Sequence, residues 1–137
     1  MNEVVPVNKE YFFDETAIVS QTDLKGVITY ANRSFSKISG YSISELVGKP
    51  HNIVRHPDMP KVVFEKMWNT LKAGQVWNGL VKNLRKDGKY YWVNSEILPI
   101  RDNNNSITGY IAARKAASRE DIQENQETYK KMLQAEG

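Results

Sequence analysis

Apolar and polar residues change rhythm several times along this chain, and each change marks an element. Short apolar stretches at 17–23 (AIVSQTD) and 27–32 (VITYAN) flank a turn containing Gly26, which predicts a hairpin of two strands. The following stretch, NRSFSKISGYSISELVGKP, breaks into short helical pieces at Gly40, Gly48 and Pro50, with Ser42 or Ser44 as the cap of the second piece. In MPKVVFEKMWNTLKAG, residues Val63, Phe64, Met67, Trp68 and Leu71 recur at three- and four-residue steps. That spacing predicts one longer helix, with Pro60 in its first turn and Gly74 closing it.

Three strand-like stretches follow: VWNGLVKNLRK, KYYWVNSEILPI and SITGYIAARKAA. RKDGK joins the first two, and an Asp-Gly pair between strands is a hairpin signal; RDNNNS joins the last two as a longer polar loop. From Ser118 the pattern turns helical, with Ser118 as N-cap and Asp121 near the positive end of the helix dipole. Its Ile122, Tyr129 and Met132 share a stripe that Asn125 interrupts, too weak for a coiled coil. The expected fold is α+β: five mainly antiparallel strands, helices covering one face, and a C-terminal helix. The expected organisation is an N-terminal cap at 1–16 rich in Tyr11, Phe12 and Phe13, a single domain at 17–117, and a terminal helix or linker at 118–137.

Composition narrows the function. At 137 residues, 40% hydrophobic and 26% charged, the chain suits one folded domain. No stretch approaches the roughly 18 consecutive apolar residues of a membrane span, and the start MNEVVPVNKE does not read as a signal peptide. A cytoplasmic place with no membrane contact of its own is expected. The formal charge of +3 is scattered, which argues against phosphate tracking along nucleic acid. Zero cysteines exclude disulfides, thiolate zinc sites, cysteine-ligated iron–sulfur clusters and cysteinyl adducts.

Two features carry candidate chemistry. Alternation puts Trp77, Gly79, Val81 and Asn83 on one side of their strand. A flat aromatic ligand across Gly79, with Trp77 at one edge and Asn83 offering donor and acceptor, accounts for that set; so does a glycine bulge with a loop-bonded amide. On the last strand Tyr110, Ala112 and Arg114 share a side, and Arg114 points into the cavity if Ala112 faces inward. The second feature is HNIVRHPDMP, residues 51–60, which holds both histidines. His51 and His56 are five apart, unlike the i, i+4 pair of a helical zinc site. No serine sits in a nucleophile elbow, so no enzyme activity is expected. Arg55 suits an anionic partner or an ion pair with Asp58.

The run ANRSFSKISGYSISELVGKPHNIVRHPDMP through FEKMWNTLKAGQVWNGLVKNLRKDGKYYWV resembles a PAS domain. The pattern lies in Asn32 and Phe35, Gly40-Tyr41, Glu45-Leu46 with Gly48, and the WxGxxxN hairpin with RKDG and YW, over roughly residues 17–117. PHNIVRHPDMP narrows the resemblance to the flavin-binding PAS domains of bacterial aerotaxis and energy-taxis receptors. That resemblance implies noncovalent FAD between sheet and helices. By matching position, it implies that Arg55, His56 and Asp58 are needed for FAD binding, that Trp77 and Asn83 belong to the flavin pocket, and that Asn32 supports it. Photoactive PAS relatives carry an adduct-forming cysteine; with none here, a redox or oxygen sensor fits better. The implied partner is a chemotaxis receptor or a HAMP-type signalling domain, through which the domain is held at the inner face of the membrane. Two alternatives stay open: a haem-binding gas sensor, and a cofactor-free PAS module dimerising through its N-terminal segment and sheet.

Overall fold

The computed structural model describes residues 4–13 and 17–137. Its five strands are β1 (Ile18–Asp23), β2 (Ile28–Ala31), β3 (Trp77–Leu84), β4 (Tyr90–Arg101) and β5 (Ile107–Ala116). They form one antiparallel sheet in the order β2-β1-β5-β4-β3. The helices α1 (Arg33–Ser39), α2 (Ile43–Leu46) and α3 (Lys61–Lys72), with a 3-10 turn at His51–Val54, connect β2 to β3. The first and last strands pair centrally, Ile18 opposite Arg114 and Asp23 opposite Gly109, so the connecting helices must lie across the sheet.

Local chemistry explains the short helices. Asn32 accepts from the Phe35 amide through Oδ1 at 2.9 Å and donates to the Ala17 carbonyl through Nδ2 at 3.0 Å. One side chain thus caps α1 and ties its start to the residue before β1. Ser42, not Ser44, caps α2, with Glu45 closing the reciprocal bond to the Ser42 amide. The β3–β4 turn has Gly88 at φ 90° and Asp87 accepting from the Lys89 amide, as an Asp-Gly turn requires. Phe35, Leu46, Val54, Tyr91 and Val93 are buried together where these helices meet the sheet.

The C-terminal helix, expected apart from the helices that cover one face, has its own course. The final helix α4 (Arg119–Glu136) starts against Leu80 and Trp92, through Ile122, away from the main core. Its later residues Tyr129 and Met132 pack on the main core, so α4 crosses the exposed edge of β3. The Tyr129 hydroxyl donates to the Leu80 carbonyl at 2.7 Å, and the Glu136 carboxylate accepts from the Lys61 and Val62 amides at the start of α3, each at 3.1 Å. Asn125, which breaks the apolar stripe, bonds back to the Asp121 carbonyl. The apolar stripe is used on the chain's own sheet edge. Of the expected N-terminal cap, residues 1–3 and 14–16 lie outside the described residues. The rest runs beside β4: the Tyr11 amide donates to the Tyr90 carbonyl at 2.7 Å, and Phe13 meets Tyr91 edge-on.

Asn32→Ala removes both the cap and the tie to Ala17. We expect a loss of about 1–2 kcal/mol, measured as a lower urea midpoint at unchanged m-value.

Candidate cofactor cavity

A cavity of about 200 Å³ lies between the sheet and the helical connection. The sheet supplies Ser20 and Thr22 from β1, Val81 and Asn83 from β3, Ser95 and Ile97 from β4, and Tyr110, Ala112 and Arg114 from β5. Opposite stand His51, Asn52 and Arg55, then Phe64, Met67, Trp68 and Leu71 on one face of α3. The exposed Lys25, Pro50 and Asn52 mark its mouth. Complete ligand pockets run roughly 300–1,000 Å³, so this volume suits a ring system rather than a whole dinucleotide.

The charge inside is one-sided. Lys25, Arg55 and Arg114 line the cavity, and no carboxylate is found among the described lining residues. Arg114 is only 4% exposed; burial lowers its pKa to about 10, which still leaves it cationic at neutral pH. Its Nη2 meets Ser20 Oγ at 3.0 Å and His51 Nε2 at 2.6 Å, while its buried Nη1 has no partner. Arg55 repeats the pattern. Its guanidinium lies 3.8 Å over the Phe64 ring, burial pushes its pKa down, and its buried Nε is unpartnered. Buried donors without acceptors are costly. An acceptor-rich or anionic ring edge fits this donor set. An oxidised flavin ring, with two carbonyls and two unprotonated nitrogens, is such a group.

The decamer divides in two. A backbone bridge between Arg55 and Asn83 fastens it to β3 and turns the Arg55 and Asn83 side chains to the cavity, where Asn83 is 4% exposed. Beyond Arg55 the chain leaves the cavity. His56 is buried outside it, with Nδ1 accepting from the Asp58 amide at 3.0 Å. Asp58 is exposed and pairs with Lys82 at 3.0 Å, so the alternative ion pair with Arg55 does not form. The Lys82 amide donates to the Met59 sulfur. His56 and Asp58 therefore hold the segment onto β3 from outside, and Asn32 holds α1 without lining the cavity.

Trp77 and Gly79 lie elsewhere. The ring that covers Gly79 is the indole of Trp77 itself: a Cβ on Gly79 would stand 2.3 Å from its Cη2. The missing side chain lets the indole fold down and bury its face against the core, so the open slot expected over Gly79 is filled from within. Both residues line a groove between α3 and α4 at the β3 edge instead. His51, Ser20, Trp68 and Tyr110 went unselected in the sequence. The spacing of Tyr110 and Arg114 was visible, but Ser20 and His51 meet Arg114 across 94 and 63 residues.

The sequence profile of the PAS fold matches residues 28–114. The chain belongs to the PAS family. Over 118 residues this PAS domain is 48% identical to the aerotaxis receptor of Escherichia coli (strain K12), a match covering 85% of the chain and 23% of the receptor. A nitrogen fixation regulatory protein of Klebsiella pneumoniae is 31% identical over 100 residues, 73% of the chain and 20% of that protein. The dark structure of the blue-light photoreceptor Aureochrome1 LOV superposes with a TM-score of 0.71 at 23% identity, covering 82% of this chain and 86% of that one. A light-oxygen-voltage domain from work on a flavin analogue gives 0.70 at 24% identity, with 83% and 87% covered. These two share the fold. No helix among the described residues is long and apolar enough to cross a membrane.

Two outcomes are expected. Burial first, then nearby cations, lower His51 from 6.5 to about 3; burial and Lys82 lower His56 from 6.5 to about 4. The unfolded chain thus takes up protons that the fold refuses, and stability falls as pH drops from 6.5 towards 4. Depressed carboxylates such as Glu45 begin to act as pH nears their ordinary 4.5, so urea midpoints between 6.5 and about 5.5 isolate the histidines. The midpoint should decline across that window, and His56→Gln should flatten the decline. Gly79→Ala should expel the indole, costing about 1–3 kcal/mol and red-shifting tryptophan fluorescence.

Proposed function

We propose that this PAS domain binds FAD noncovalently, with the flavin ring in the cavity, and passes its redox state to a chemotaxis-type signalling partner. The carrying observation is the pair of buried, unpartnered donors, Arg55 Nε and Arg114 Nη1, in a cavity without a carboxylate among its described lining residues. Identity with the aerotaxis receptor supports the class of partner. Arg114 and Arg55 would hold the ring's acceptors, Asn83 would offer it an amide donor and acceptor, and His56, Asp58 and Asn32 hold the surrounding segments. Lys25, at the mouth, would supply a positive charge for the anionic remainder of the dinucleotide. Trp77 packs beside the cavity on Gly79.

When bound, a flavin supplies an electron couple whose N5 changes from hydrogen-bond acceptor to donor on reduction. Asn83 could answer such a change by turning its amide, since one end donates and the other accepts. Asn83 lies on the strand whose Leu80 carbonyl holds Tyr129 of α4, which gives the reorientation a physical route to the terminal helix. One rearranged hydrogen bond, worth about 1 kcal/mol, matches the roughly 1–3 kcal/mol of typical allosteric couplings. The haem reading is weaker on geometry: His51 Nε2 is engaged by Arg114, and His56 does not line the cavity.

Purified protein should show the flavin absorption band, and chromatography of the released cofactor should give FAD. A Soret band instead would establish haem, and colourless protein after expression with added flavin would establish the cofactor-free module. Arg114→Ala should lose most of the bound flavin while remaining folded. Asn83→Asp should retain flavin but abolish any difference in proteolysis of α4 between oxidised and reduced protein; an intact difference would remove Asn83 as the relay.

A further inference from the structure

The free donor on Arg114 exists because its other nitrogen is already taken, and the residue that takes it is His51. A guanidinium carries five N–H donors and no acceptor. At 2.6 Å from Arg114 Nη2, His51 Nε2 must therefore be the acceptor, which places the ring proton on Nδ1. Ser20 Oγ accepts from the same Nη2 at 3.0 Å. Two acceptors for two hydrogens saturate Nη2 and leave Nη1 for an acceptor that the described residues do not supply. Phe35 fixes both partners: the imidazole stacks on it at 5.7 Å and 21°, and the Arg114 guanidinium lies 5.3 Å over the same ring.

We infer that His51 is a positioning residue of the cavity: by holding Nη2 of Arg114 from the wall formed by Phe35, it directs Nη1 to the acceptor edge of the ring that binds there. The identity of the ligand rests on the flavin reading; the arrangement of His51, Ser20 and Arg114 does not. A protonated His51 would lose its lone pair and stand as a further cation against Arg114 and Arg55. Burial and those two arginines disfavour that form, so the acceptor persists at neutral pH. The same engagement makes His51 a carrier of orientation, not a proton donor or metal ligand.

Two substitutions separate positioning from packing. His51→Leu keeps apolar bulk against Phe35 and removes the acceptor; His51→Gln keeps a side-chain acceptor. We expect His51→Leu to melt near the parent yet bind FAD about tenfold more weakly, with a shifted flavin band, because a charge-assisted hydrogen bond is misdirected. His51→Gln should recover most of the affinity and the band position. Equal affinity and equal spectra for Leu and Gln would overturn the inference. A second measurement needs no cofactor: nitrogen-15 NMR of the full chain should show His51 Nε2 unprotonated and Nδ1 protonated, with no titration near the ordinary histidine value. A protonated Nε2, or titration near 6.5, overturns it even if His51→Leu fails to fold. Colourless parent protein with the expected NMR signature would sink the flavin reading alone and leave the His51–Arg114 arrangement standing.

Discussion

A buried cationic arginine with no carboxylate paired to it among the described residues organises this domain. Removing a guanidinium from water is expensive unless its donors are met, and Arg114 is met on one side only, by Ser20 and His51. Those contacts join the first strand, the last strand and the 3-10 turn, three of the pieces that surround the cavity. The unpaired side of the guanidinium is the feature on which the proposed ring ligand, with acceptors along one edge, rests. Arg55, stacked on Phe64 with its own unpartnered Nε, repeats the demand from the helical wall.

The histidine-rich decamer shows how one short segment serves two environments. Its first half faces inward through His51 and Arg55. Its second half turns out at the bridge to Asn83 and is fastened by His56, Asp58 and Lys82 on the far side of β3. Losing an outer residue would loosen the same backbone that carries Arg55. A residue can thus be required for cofactor binding without lining the cavity, and the geometry assigns His56 and Asp58 that indirect part in the proposed site.

The terminal helix completes the circuit. It begins at Arg119, shortly after β5 ends at Ala116, crosses the β3 edge, donates from Tyr129 to the Leu80 carbonyl, and ends with Glu136 on the free amides of α3. The elements on both sides of the cavity therefore share contacts with one helix. Its apolar stripe is spent on this docking. That answers why the stripe is broken at Asn125, where the side chain bonds its own helix instead of facing a partner.

Much of the fold was legible in the chain. Strand alternation, the three- and four-residue steps of α3, the Asp-Gly turn, the serine cap of α2 and the cap at Ser118 are local signals, fixed by backbone geometry within a few residues; the cap at Asn32 emerged from the structure. The inward side of β5 was legible too, because Ala112 and Arg114 share it. What the sequence could not determine is which distant groups share a wall. Spacing made Gly79 look like the floor of a ligand slot, and only packing revealed that Trp77 covers it. Spacing gave His51 and His56 no separate places, and only the sheet order brought His51 to Arg114 while sending His56 to the opposite side of β3. Periodicity specifies direction along an element; the contacts that set charge, tautomer and cavity depend on elements meeting across the fold.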